Sequence, residues 1–254
     1  MAVTIDPTLL VGYLLALTRT AAWVMITPPF GTRMVPTRIK VGLAAVLALA
    51  VGAKAQAHAV DLDAGSLIGA AGLQVAVGVT MGFIGVVLFA ALQAAGATVD
   101  LFGGFAMAQV FDPQSNVHTS VFGRFYNLLA VTLLFAIGGH LLLVRGLLRS
   151  FDAVPATGLH TGDIAGLLTN DLGVLLLAGL EIAAPLLAAL FLADVALGLL
   201  SRAAPEMHVF VLGLPLKILL TLTLMGLALP LLPGAVSSLT ERMIQDGLRV
   251  VGIG

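Results

Sequence analysis

The hydrophobic and polar positions of this chain fall in long blocks, not at the spacing of two that marks a half-buried strand. Apolar runs cover residues 8–27, 41–53, 65–99, 125–143, 171–200 and 209–232, with short polar or glycine- and proline-bearing stretches between them. Such runs predict helices of membrane-crossing size, each needing about 20 apolar residues. The second run is short for a span, because extending it to Val60 takes in Lys54 and His58. The third is too long for one unbent crossing, so a kink or a projection beyond the bilayer is expected. Breakers fix the ends. Pro28-Pro29-Phe30-Gly31 closes the first run, Asp61-Leu62-Asp63 makes a turn, and residues 150–170, with Pro155 and Gly158, read as a loop. Residues 125–143 read as one helix, while Gly213, Pro215 and Lys217 interrupt the last run and Pro230 and Pro233 end it. The tail, residues 235–254, reads as an amphipathic helix in which Leu239 and Met243 alternate with Glu241, Arg242, Asp246 and Arg249.

Composition narrows the class. Hydrophobic residues make up 59% of the 254 and charged residues 10%, with a mean hydropathy of +1.10. A soluble domain is about half apolar and about a quarter charged, so this chain belongs in a bilayer or inside a hydrophobic assembly, with room for about six membrane-length helices. A net charge of −1 argues against nucleic acid as a partner. With no cysteine there is no disulfide, thiolate chemistry or cysteine metal site. The opening Met-Ala-Val-Thr-Ile-Asp-Pro lacks the basic stretch of a cleaved signal peptide, so the first run is expected to be retained.

Two tests for an orthodox six-span protein give no support. Of the 12 lysines and arginines, Arg19 and Lys217 lie inside runs and the rest divide evenly between the two sides, so the positive-inside rule assigns no orientation. One tryptophan and two tyrosines leave six helices almost without interfacial anchors. Both results favour a subunit whose helices face protein more than lipid. Gly78 and Gly82 form a GxxxG pair, followed by Gly85 and by Gly96 in an alanine-rich stretch. Small residues at this spacing let helix backbones approach closely, so these four glycines are the candidate helix-packing positions.

Arg19, Glu181, Asp194 and Lys217 sit in apolar runs, where a charge must face protein, water or an opposite charge. Glu181 and Asp194, 13 residues apart, fall on different faces of a straight helix, so a shared two-carboxylate site is not expected. A structural ion pair of Arg19 or Lys217 with one of the acids is favoured over proton relay or ion coupling. No GxSxG, Walker loop, HExxH or metal-ligand spacing occurs, and the five histidines are scattered, His140 alone lying well inside an apolar setting. No catalytic constellation, metal site or cofactor is expected.

Residues 100–124 are the least ordinary stretch. Flexible Gly103 and Gly104 lie among bulky Phe102, Phe105, Met107 and Phe111, and Asp112-Pro113 with Ser115 and Asn116 makes a turn. By pattern alone a loop packed on its own helices is the favoured reading; a loop folded inward to stopper a pore is the other.

The order of signals carries a resemblance. Arg19 precedes Pro28, Gly31, Pro36 and Arg38; Gly-Val-Thr-Met-Gly-Phe follows at 78–83, then Gly96, Gly104, Asp112-Pro113 and Gly139-His140-Leu141. The most specific part is Leu-Gly-Leu-Leu-Ser-Arg-Ala-Ala-Pro at 197–205, running on to Val-Phe-Val-Leu-Gly-Leu-Pro-Leu-Lys at 209–217. Over nearly its whole length the chain resembles the FliR family and its virulence-secretion relatives (the SpaR/YscT group), export-gate subunits of type III secretion. It departs from the family pattern at Glu206 and Ala97.

The resemblance implies a non-enzymatic, all-α, membrane-associated protein of glycine-rich helical hairpins. A FliP-like part at 1–170 would be followed by a FliQ-like hairpin and amphipathic tail at 171–254, tilted into a helical assembly. It implies FliP- and FliQ-like subunits as partners, FlhB- and FlhA-like proteins and rod or adaptor proteins nearby, and unfolded export substrates as cargo. The site is then the bacterial inner membrane, in a flagellar basal body or an injectisome. The family's plug loop falls on residues 102–122, which assigns Phe102, Gly103, Gly104, Phe105, Met107, Phe111, Asp112 and Pro113 to the plug. The rival expectation is a secondary transporter using Glu181 or Asp194; a membrane scaffold without a gate is the third.

Overall fold

A computed structural model describes residues 7–55, 63–105, 120–153, 161–204 and 209–250, and among them every regular element is helical. The elements are α1 (Pro7–Ile26), α2 (Thr37–Ala55), α3 (Ala64–Gly103), α4 (Val121–Ala136), α5 (Gly139–Ala153), α6 (Thr161–Ala203), α7 (Val209–Ala228), a 3-10 turn (Leu229–Leu231) and α8 (Leu232–Val250). The chain is an all-α membrane protein. Among the described residues four stretches, Pro7–Ile26, Ala64–Gly103, Gly179–Ala203 and Gly213–Gln245, are long and apolar enough to cross a membrane, and the bent pair Val121–Ala136 and Gly139–Asp152 makes a fifth if taken as one broken span.

That is fewer than the six apolar runs, and the differences have physical causes. Residues 125–143 are not one helix: Gly138 adopts φ +73°, a left-handed conformation that ends one helix before the next begins. Residues 150–170 are not a loop throughout, since α5 continues to Ala153 and α6 starts at Thr161. Pro215 does not interrupt α7, and Pro185 lies within α6. In a membrane helix a proline is tolerated because neighbouring helices, hydroxyl side chains and small local adjustments take up the backbone group it frees. At 40 residues, α3 is about 60 Å long at 1.5 Å per residue. Asp63 caps its start, its carboxylate accepting from the Gly65 N–H at 3.1 Å.

The chain forms two compact units, and each draws segments from both sequence parts, 1–170 and 171–254. The first comprises Met1–Leu88, Gly138–Leu172 and Ser238–Gly254. Here α1 lies close against α3: a Cβ on Gly78 would strike the Arg19 carbonyl and the Ala22 side chain, and one on Gly82 would strike Ile26. Gly85 has Met243 of α8 against it in the same way. A helical glycine costs about 1 kcal/mol relative to alanine, which close backbone packing offsets here. Thr20 donates to the Ala44 carbonyl at 3.0 Å and joins α1 to α2. Trp23, 1% exposed, stacks at a tilt on Phe30 with ring centroids 5.7 Å apart.

The second unit comprises Phe89–Ile137 and Gly173–Ser237. Val99, Phe122, Tyr126, Leu186, Met225 and Leu232 form its core. A Cβ on Gly96 would lie inside the Phe122 and Gly123 backbone, and one on Gly179 would come within 2.7 Å of the Ala91 carbonyl oxygen. These glycines set the contacts of α3 with α4 and with α6.

Candidate functional site

The C-terminus of α3 and the N-terminus of α4 flank residues 106–119, which lie outside the described residues. α3 ends in a left-handed cap. Gly104 has φ +85°, and the Phe105 N–H donates back to the Asp100 carbonyl at 3.1 Å. This is the six-to-one bond of a Schellman motif, with Phe105 packing on the core that holds Val99, as the motif favours. Gly103 is buried, and a Cβ there would lie 2.8 Å from the Thr221 hydroxyl of α7. A Cβ on Gly104 would meet Leu214 at 2.9 Å and would stand 4.0 Å from the Lys217 side chain. The glycine pair therefore serves the helix end and its approach to α7.

α4 begins at Ser120, whose hydroxyl oxygen accepts from the Gly123 N–H at 2.7 Å. The Asp100 carboxylate reaches across from α3. It accepts from the Ser120 hydroxyl and from the Phe122 N–H at 3.1 Å. Asp100 is 4% exposed, and its charge lies at the end of α4 where unpaired N–H groups and the helix dipole favour an anion. The Phe105 and Phe122 rings meet edge to face, 4.9 Å between centroids, which closes the apolar side of the junction.

Of the plug positions expected from sequence, Phe102, Gly103, Gly104 and Phe105 are described at this junction, whereas Met107, Phe111, Asp112 and Pro113 lie outside the described residues. Lys217 Nζ stands 2.6 Å from Asp194 Oδ1, joining α7 to α6 close to Gly104. Glu181 is exposed on α6, about 20 Å of helix rise from Asp194, so no two-carboxylate site forms between them. The pair leads to an expected result: Lys217→Glu or Asp194→Lys alone lowers stability by about 1–3 kcal/mol, between values for exposed and buried pairs. The double exchange recovers most of it, read as melting of the purified protein.

Arg19 belongs to the other unit. Its side chain is fully buried. Nε donates to Gln74 at 2.6 Å, Nη1 donates to the Ser150 carbonyl at 2.8 Å, and the guanidinium lies 4.2 Å over the Phe151 ring. One arginine thus ties α1 to α3 and α5.

Sequence reasoning did not single out Asp100, Ser120, Phe122, Thr221, Gln74 or Ser150 as site residues. Two carried a signal. An acid in the last turn of an apolar helix, at Asp100, opposes the dipole and so requires a partner; Gln74 is one of two strongly polar residues in the run 65–99.

A family model described as Bacterial export proteins, family 1, matches residues 10–243. The chain is 33% identical over 221 residues to the flagellar biosynthetic protein FliR of Escherichia coli (strain K12), covering 87% of this chain and 85% of that one. Against the flagellar biosynthetic protein FliR of Bacillus subtilis (strain 168) it is 30% identical, covering 95% and 96%. The Yop proteins translocation protein T of Yersinia pestis is 32% identical, over 82% of each chain. Four apolar helices, the order of glycine contacts along α3 and a match over nearly the whole length agree: the chain belongs to the bacterial export proteins, family 1, a family of flagellar and type III export components.

Proposed function

We propose that the chain is a non-enzymatic subunit of a flagellar or type III export gate in the bacterial inner membrane. It forms the protein-conducting channel with FliP- and FliQ-like subunits, near FlhB- and FlhA-like proteins, and passes unfolded substrates toward rod or adaptor proteins. Residues 102–122 act as a plug. Phe105, Met107 and Phe111 exclude water and ions from the resting conduit, as a hydrophobic constriction does, and an arriving substrate displaces Met107 and Phe111 while Phe105 stays against Phe122.

The observation that carries this reading is the family match over residues 10–243. The pattern of exposure supports the oligomeric part. The apolar windows in Gly179–Ala203 and Gly213–Gln245 are each only 17% buried, against 61% for that in Ala64–Gly103. Trp23 and Tyr126 are both in the core, at 1% and 3% exposure, so neither anchors an interface with lipid headgroups. Large apolar surfaces without an aromatic belt suit sister helices. Both ends of the 106–119 connection meet at the Asp100 junction, which suits a plug suspended from one point.

Affinity purification of the tagged chain from its own cells tests the proposal. FliP- and FliQ-like subunits are expected to come with it at fixed ratio, and the chain alone in proteoliposomes is expected to move no ion or solute. Coupled transport by the isolated chain, abolished by Asp194→Asn, would favour the transporter reading instead.

A further inference from the structure

We propose that Asp100 is a positioning residue that locks the end of α3 to the start of α4, and that this junction stays closed while substrate passes. The inference rests on the plug reading, because it assigns the fixed point from which that connection hangs. The chemistry is double-ended. The Asp100 carbonyl closes α3 by accepting from the Phe105 N–H, and the carboxylate closes α4 by accepting from Ser120 and the Phe122 N–H. The Ser120 hydroxyl is used on both sides, giving its proton to Asp100 and accepting from the Gly123 N–H. The Arg124 N–H makes the first helical bond, to the Ser120 carbonyl at 3.1 Å, and of the N–H groups before it, which have no partner within the helix, those of Phe122 and Gly123 are satisfied at this junction.

An acid at the end of α3 is unfavourable within its own helix. It becomes favourable only while α4 supplies donors, so parting the two helix ends would leave a carboxylate and several N–H groups unpaired in a buried place. Gly96, one turn earlier, leaves no room for a side chain between α3 and the Phe122 backbone, and the Phe105–Phe122 ring contact closes the other side. Among the described residues, each of these contacts of Asp100 and its neighbours resists separation of the two helix ends.

The chain has no cysteine, so an engineered pair can form only one disulfide within it. In cells whose assembly carries Asp100→Cys with Ser120→Cys, which removes both bonds to the carboxylate and the bond from Gly123, the reduced pair is expected to assemble yet leak small ions at least about tenfold above wild type, a charge-assisted hydrogen bond alone being worth about that factor. Oxidation to the disulfide is expected to restore tightness while export continues at the wild-type rate. The proposal is overturned if the disulfide blocks export, if the reduced pair is as tight as wild type, or if the pair does not oxidise in the assembly. Should the pair prevent assembly, Ser120→Ala, which keeps the Phe122 N–H on the carboxylate, is expected to leak at a level between wild type and Asp100→Ala; no leak from either overturns it. A silent deletion within 106–119 would sink the plug reading itself; a leaking deletion with a tight reduced pair would sink only the role of Asp100.

Discussion

Deleting residues 107–111 is expected to leave the export assembly intact and make it leak. The deletion spares Asp100, Gly104, Phe105, Ser120 and Phe122, so the caps of α3 and α4 and the contacts between them remain. What disappears is Met-Ala-Gln-Val-Phe, with the two largest apolar side chains of that segment, Met107 and Phe111. Each is worth about 1.5–3 kcal/mol when kept from water, and a constriction lined by such groups holds ions back by staying dry. Losing both lowers the barrier by a few kcal/mol, and at about 1.4 kcal/mol per factor of ten the resting ion permeability rises at least about tenfold. Conductance of the purified assembly in planar bilayers, with its subunit composition checked in parallel, measures this. An intact assembly with unchanged conductance would count against any blocking role for the segment.

The second large effect is expected at Arg19. Arg19→Met keeps an unbranched apolar stem but removes the guanidinium, and leaves the Gln74 carbonyl oxygen and the Ser150 carbonyl without the donors they now have at 2.6 and 2.8 Å. Unpaired buried acceptors cost about 1–3 kcal/mol each, and hydrogen bonds from a charged group are the stronger kind. The contact over Phe151 is also lost. A destabilisation of about 3–5 kcal/mol follows, of the order seen when a buried charge network is broken. Arg19→Lys is expected to rescue little, because an ammonium lacks the flat fork that reaches Gln74 and Ser150 together while covering a ring. Steady-state chain level in the membrane and melting in detergent are the readouts. A wild-type level with Arg19→Met would mean that α1, α3 and α5 are held by packing alone.

The all-helical class was legible because the blocks of apolar residues are too long for strands, and the GxxxG pair marked the side of α3 on which α1 lies. The missing aromatic belt was legible as a count, and Trp23 and Tyr126 in the core give it a structural reason. The junction was not legible. Asp100 is defined by Ser120 and Phe122, about twenty residues away, and no periodicity within α3 announces a partner on another helix. Gly103 and Gly104 read only as flexible backbone because glycine in sequence says no more than that the chain is free to turn; the left-handed cap and the Thr221 contact come from the fold. The break at Gly138 was missed for a related reason, since a glycine in a stretch of small residues also suits a packed membrane helix. Of the ion pair expected from Arg19 or Lys217 with one of the acids, Lys217 stands 2.6 Å from Asp194, while the contacts of Arg19 include an amide, a serine and a ring, none of which its place in an apolar run announces.

The most direct measurement places a photoreactive residue at Met107 in the complete assembly and halts an export substrate midway with a fused domain that cannot enter. Illumination is predicted to join Met107 to the halted substrate, because the segment that blocks the resting conduit must border whatever later fills it. Adducts to lipid or to neighbouring subunits alone, with the substrate trapped in the same preparation, would contradict the account.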